Sequence, residues 1–211
     1  MKKILAIVAT VLVAFSAQAQ NSDYNRISIG YDQMHLSESY DGYGGSMDLP
    51  GFDANYAHGF NLTSKLPLYL EVGGRLTFNT KKDSSYDYEL VGGNVRVNML
   101  ALSIPVSLTY KFTFGDGFYV APFAGINAHF NLVCQEKGTT HVGSHEETVT
   151  ENMLSGDNSW NVCQFGGQVG VNLGYKAFNL GFGFYPSTPI YSKGDHKIRN
   201  NDWAITVGLN F

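Results

Sequence analysis

Apolar residues recur at every second position along most of this chain, the spacing of β-strands with one face in an apolar setting. The pattern is plainest at the C-terminus. Trp203, Ile205, Val207, Leu209 and Phe211 share one face; Asp202, Ala204, Thr206, Gly208 and Asn210 share the other. Upstream, Phe178, Leu180, Phe182 and Phe184 alternate with Asn179, Gly181 and Gly183, and residues 165–175 repeat the theme. Segments at 24–35, 51–62, 68–80, 94–112 and 117–132 bring the predicted strands to eight. Within 94–112 the apolar face changes phase between Met99 and Leu100, which predicts a β-bulge there. Pro105 and Pro122 each remove a ladder donor; placed at mirrored distances from a turn near 113–116, they are expected to share one local bulge. His58 falls on the outward face of the second strand, where the sequence offers no account of it.

Connection lengths add a second signal. Short turns fall near 63–67, 113–116 and 175–177, and long polar connections at 36–50, 81–93, 133–160 and 186–200. Short-then-long alternation is the mark of an outer-membrane barrel, with tight periplasmic turns and larger external loops. The predicted fold class is therefore all-β: an eight-stranded antiparallel up-and-down transmembrane β-barrel. A soluble barrel also alternates, but its bulky face points inward and its other face is charged. Here the polar set is rich in Gly, Asn, Ser and Thr and poor in Lys and Glu, which suits the cramped interior of a narrow barrel. The opposite face is Leu, Val, Ile and Phe, as hydrocarbon requires. Tyr110, Phe112, Phe118, Tyr175, Phe178 and Phe211 fall near strand ends, where an interfacial girdle belongs.

The N-terminus changes the compartment. Lys2 and Lys3 precede an apolar run from Ile4 to Phe15, and Ala17-Gln18-Ala19 supplies small residues before a cleavage point. Residues 1–19 are expected to be a signal peptide cut after Ala19, leaving residues 20–211 as a single barrel domain. The run is too short for a spanning helix, which needs ~20 apolar residues. The formal charge of −4 becomes −6 without Lys2 and Lys3. Such acidity disfavours nucleic acid, whose phosphates call for basic surfaces. In an oxidising compartment the two cysteines, Cys134 and Cys163, are expected to form a disulfide, with two free thiols as the alternative. Closing a loop of ~30 residues would contribute ~3–4 kcal/mol in the chain-entropy treatment.

Three stretches carry a family resemblance: Leu102-Ser103-Ile104-Pro105 running to Tyr110-Lys111-Phe112, Tyr119-Val120-Ala121-Pro122-Phe123-Ala124-Gly125, and the terminal Phe211. With the leader, they resemble the small outer-membrane β-barrel proteins of Bacteroidetes, sometimes called PorT-like, eight-stranded barrels of the OmpA and OmpX type. The resemblance implies location and fold and fixes no activity. The Trp203, Ile205, Val207, Leu209, Phe211 series also resembles the signal read by the barrel-assembly machinery.

Arg26, Asp32, Glu71, Arg75 and Lys111 are expected to face inward, with ion pairs between the first and third strands. Unpaired, such buried charges would cost several kcal/mol. A polar conduction path competes with a plug that stiffens the barrel, and the narrow interior of eight strands favours the plug. His141 and His145 flank Gly143-Ser144, which reads as a loop tip rather than a metal-binding helix. Some barrels of this size modify lipid A through a Ser–His pair; Asn131 occupies the position two after His129, and no Gly-x-Ser-x-Gly is present. Neither catalysis, cofactor nor metal is expected. The loop between the cysteines is acidic (Glu136, Glu146, Glu147, Glu151, Asp157), and the last loop is basic (Lys193, Lys197, Arg199). The expected role is structural or surface interaction through external loops, by a monomer surrounded by outer-membrane lipid. A narrow solute conduit and a lipid-modifying enzyme are the alternatives.

Overall fold

A computed structural model describes residues 23–63, 66–88, 91–114, 117–142, 145–156 and 159–211. The expected signal peptide and its cleavage point lie outside the described residues. The strands are β1 (Tyr24–Tyr40), β2 (Tyr43–Asn61), β3 (Leu68–Tyr88), β4 (Val91–Tyr110), β5 (Phe112–Phe114), β6 (Phe118–Val142), β7 (His145–Asn152), β8 (Cys163–Tyr175), β9 (Phe178–Pro186), β10 (Tyr191–Lys193) and β11 (His196–Asn210). Eight of them form a ring in the order β1-β2-β3-β4-β6-β8-β9-β11. β11 then pairs antiparallel with β1, from Arg26↔Asn210 to Ser39↔Lys197, and closes it. β5 prolongs β4 along β6, β7 takes over from β8 on the upper part of β6, and β10 takes over from β9 on β11. Closure leaves no unpaired edge around the ring, which a hydrocarbon setting demands.

Burial is inverted relative to a water-soluble protein. Ile27, Ile29, Phe165, Val169, Phe182 and Ile205 are exposed, whereas Arg26, Asp32, Arg75, Asn131, Gln164 and Asn172 are buried. Exposure reaches 57% at Val207 while Asp32 and Asp53 have none. A large exposed apolar belt around a buried polar centre is stable only where the surroundings are themselves apolar. Phe118, Tyr175 and Phe178 are successive cross-strand partners at the end of the ring that carries the short turns, and Phe211 lies at the same end. The interior is narrow enough to forbid a Cβ at Gly174, where it would penetrate the Tyr119 ring.

The external connections differ from their sequence reading. Most of residues 36–50 and 81–93 is strand, because the hairpins continue well above the belt. β1 and β2 run on to Tyr40↔Tyr43 and turn through Asp41 and Gly42, both at positive φ (45° and 81°), the geometry of a tight two-residue hairpin. Above the belt, His35 Nδ1 bonds Asp48 Oδ1 at 2.7 Å, and this bond holds the Asp48 carboxyl below its ordinary range.

The phase change at Met99 has a different cause from the one expected. β4 keeps one phase, with Met99, Ala101, Ser103, Ser107 and Thr109 all buried. The interior itself changes from polar to apolar at this height, so Val97 and Met99 face inward as hydrophobic residues. The irregularity sits on β6, where Leu132 is left unpaired between Leu100↔Val133 and Ala101↔Asn131.

The prolines do not share a bulge. Pro105 pairs with Asn127, five residues along β6 from Pro122. Pro122 lies opposite the break between β4 and β5 and pairs with Val171 on its other side. His58 sits near the short-turn end, where its Nδ1 lies 2.8 Å from Asn25 Oδ1 and its ring packs edge-on against Phe60.

The disulfide expectation is corrected. Cys134 is buried and Cys163 is exposed, and both thiols are free. Cys163 pairs with Phe130, four residues before Cys134. At strand rise this offset is about 13 Å, about twice the Cα separation a disulfide tolerates. The Leu132 irregularity also turns Cys134 inward against Met99, while Cys163 faces out.

Candidate functional site

Strand alternation delivers the charged side chains to the lumen, and ring closure brings together those far apart in sequence. At mid-height Arg75 of β3 donates through Nε to Asp53 of β2 and through Nη2 to Asp32 of β1. Its Nη1 lies 3.3 Å from Asp202 Oδ2 on β11. The guanidinium also stacks on Tyr185, 3.9 Å from the ring centroid. Asn79 donates to Asp32 Oδ1 at 2.7 Å and Asn55 to Asp53 Oδ1 at 2.9 Å, so the carboxylates have further donors. One guanidinium thus serves three buried carboxylates, a geometry that suits the flat, five-donor fork of Arg and not the point charge of Lys.

A second layer closes the short-turn end. Arg26 Nη2 lies 2.6 Å from Glu71 Oε2, Arg26 Nη1 is 3.2 Å from Glu71 Oε1, and the Tyr24 hydroxyl donates to the same carboxylate. Tyr24 meets Tyr69 edge-on. Lys111 enters this layer through rings instead of carboxylates: its Nζ lies 4.3 Å from the Tyr119 centroid and 5.5 Å from that of Tyr24. The space between the two layers measures about 50 Å³, room for a few water molecules.

Sequence reasoning placed Arg75 and Asp32 on inward positions but left Asp53 and Asp202 out of the cluster. Both carry the same alternation signal. What alternation does not give is register: the β2–β3 pairing sets Asp53 near the height of Arg75, and the β1–β11 pairing does the same for Asp202.

Above mid-height the polar chain continues from Asn131 Nδ2 to Gln164 Oε1 (2.9 Å) and from Gln164 Nε2 to Asn200 Oδ1 (2.7 Å). Ser103 Oγ and His129 Nδ1 are 2.8 Å apart, a Ser–His contact that sequence spacing missed because the partners face each other across β4 and β6. Both are buried and face the lumen. Higher still, Met34, Leu36, Leu49, Met99, Cys134 and Ile190 form an apolar layer across the barrel. Of the outward C-terminal series, Ile205, Val207, Leu209 and Phe211 are exposed, and Trp203 packs on Tyr31 at 5.5 Å. The side chains of His141 and His145 lie outside the described residues, and among the described residues no cluster of metal-ligating groups occurs.

A closed ring of eight antiparallel strands with an apolar exterior and a charged, filled interior defines a transmembrane β-barrel of the outer-membrane kind. The chain belongs to the outer membrane protein beta-barrel domain family, whose model matches residues 5–211. Among solved structures the chain is similar to Ail, the attachment invasion locus protein of Yersinia pestis (15% identity, TM-score 0.46, covering 90% of this chain and 100% of that one). It is similar to Neisserial surface protein A (15% identity, TM-score 0.42, 92% and 100% covered) and to the outer membrane enzyme PagL (12%, 0.46, 84% and 97%). No curated protein matches the chain.

Proposed function

We propose that this chain is a non-enzymatic, monomeric barrel with a sealed lumen, serving a structural or surface-interaction role through the extracellular ends of its hairpins. The observation that carries the reading is the mid-height cluster: Arg75 binds Asp32, Asp53 and Asp202 and stacks on Tyr185, tying five of the eight ring strands together across the lumen. A conduit would need an open aqueous file through this layer. On this reading the barrel is exported, with cleavage near Ala19, and is surrounded by outer-membrane lipid. The outward Trp203-to-Phe211 series is what the barrel-assembly machinery reads during biogenesis. No nucleic acid or cofactor takes part. Within its family, the Leu102–Pro105 and Tyr119–Gly125 segments support a place among the PorT-like barrels of Bacteroidetes.

Planar-bilayer recording of the refolded barrel tests the seal. The expected trace stays at baseline across ±100 mV, a span worth about 2.3 kcal/mol per elementary charge on each side. Stable steps of porin size would reassign the protein as a conduit.

A further inference from the structure

The extracellular mouth holds a cavity of about 540 Å³, within the ~300–1,000 Å³ typical of small-molecule sites. Its floor is the apolar layer around Met34, Leu49 and Met99, which separates it from the Arg75 cluster. Leu36, Met47, Val97 and Ile198 rise from that floor on four different strands. Met153 and Trp160 come over from the segment after β7, held by backbone bonds from Met153 N to Cys134 O (2.9 Å) and from Trp160 N to Met153 O (2.6 Å). An interior lined this way has no structural need to be hollow, since apolar walls gain by closing on each other.

The polar groups at the rim decide the charge of an occupant. Glu38, Glu136 and His196 line the cavity, and His196 Nε2 bonds Glu38 Oε1 at 2.6 Å. Glu136 stands directly opposite Glu151 in the β6–β7 register, on the same face of the hairpin. Like charges so placed repel, and among the described residues neither has an ion-pair partner. The neighbouring cations Arg96, Lys137, Lys197 and Arg199 occupy the alternate, exposed positions of β4, β6 and β11. Two lysines share the inward phase, Lys81 beside Val97 and Lys193 opposite His196, and each has an interaction of its own. Tyr191 and Trp160 add ring faces that attract cations.

We propose that this vestibule binds a small amphipathic cation, its apolar or aromatic body against Met47, Val97, Met153 and Trp160 and its ammonium group between Glu136, Glu38 and the rings. The proposal deepens the surface-interaction reading above and rests on it. Calorimetric titration of the mature barrel in lipid nanodiscs, with empty nanodiscs subtracted, tests it using 1-naphthylmethylamine and its anionic counterpart 1-naphthaleneacetate. The amine binds saturably at one site, about tenfold more tightly than the acid, a difference near 1.4 kcal/mol. The double variant Glu136→Gln with Glu151→Gln removes most of that preference while keeping the hydrophobic walls. Val97→Trp fills the cavity and abolishes binding, its fold checked by the heat-dependent gel shift of an intact barrel. Absence of saturable amine binding, equal binding of acid and amine, or a site indifferent to these variants overturns the proposal. A non-conducting barrel that binds neither probe defeats this inference alone, whereas a conducting one defeats the sealed-lumen reading whatever it binds.

Discussion

Arg75→Met is expected to be the most damaging single substitution inside the barrel. It removes the guanidinium that Asp32, Asp53 and Asp202 share and leaves three carboxylates buried in a space that excludes bulk water. Breaking a buried ion pair by deleting one partner costs about 3–5 kcal/mol, a large part of a domain's typical ~5–15 kcal/mol stability. Urea unfolding in lipid vesicles, with folded and unfolded bands separated on unboiled gels, reads the loss. Adding Asp32→Asn, Asp53→Asn and Asp202→Asn to Arg75→Met recovers most of the stability, because the damage comes from stranded charge and not from lost volume. An Arg75→Met barrel as stable as the parent, or a quadruple variant no better than the single one, contradicts the cluster's assigned role.

The second large effect lies on the other face. Val207 points outward, with Ile29 and Leu180 as its cross-strand neighbours, all exposed and apolar. Val207→Arg therefore forces a guanidinium into the belt, at a cost of about 2–4 kcal/mol near the midplane. Asn201→Arg is also on the outer side of β11 but beyond Trp203, at the height of His35. There the same substitution costs about 0–1 kcal/mol, as it does near an interface. Equal effects at 201 and 207 would mean that no hydrocarbon surrounds this strand.

Which parts of the architecture can be read from the chain follows from what alternation encodes. Period two separates the two faces wherever the outside is uniformly apolar and the inside uniformly polar, as along 202–211. That condition fails above the belt. β1 shows the failure compactly: Ile27, Ile29 and Tyr31 are outward and apolar, yet two strand turns on it is the inward Met34 and Leu36 that are apolar. A pattern whose hydrophobic set changes sides looks like a break, so the upper hairpins read as loops and the same reversal at Met99 read as a bulge. The true irregularity is Leu132, the extra residue between Asn131 and Val133 on β6, opposite Leu100 and Ala101. The two free cysteines follow from it, since the extra residue sets Cys134 and Cys163 on opposite faces.

The charged lumen was readable to the same depth. Inward placement of Arg26, Glu71, Asp32 and Arg75 needs only strand phase, and Arg26 to Glu71 joins positions that share a layer of β1 and β3. The membership of Asp202, 127 residues from Arg75, needs the closed ring and its register. The vestibule depends on where Met153 and Trp160 come to lie, and the bond from Met153 N to Cys134 O that brings them over the mouth is one that no local spacing announces.

A membrane-spanning barrel requires that the bulky strand face point outward, and a spin-label scan along β11 measures that orientation directly. Single cysteines at positions 203–210, introduced after both native cysteines are replaced by serine, would carry nitroxides in barrels refolded into lipid vesicles. Collision with dissolved oxygen, which concentrates in hydrocarbon, should be high at 203, 205, 207 and 209 and low at the positions between. Oxygen access that peaks instead at 204, 206 and 208, or a water-soluble nickel relaxant that reaches 205 and 207 freely, would contradict a barrel whose bulky face meets lipid.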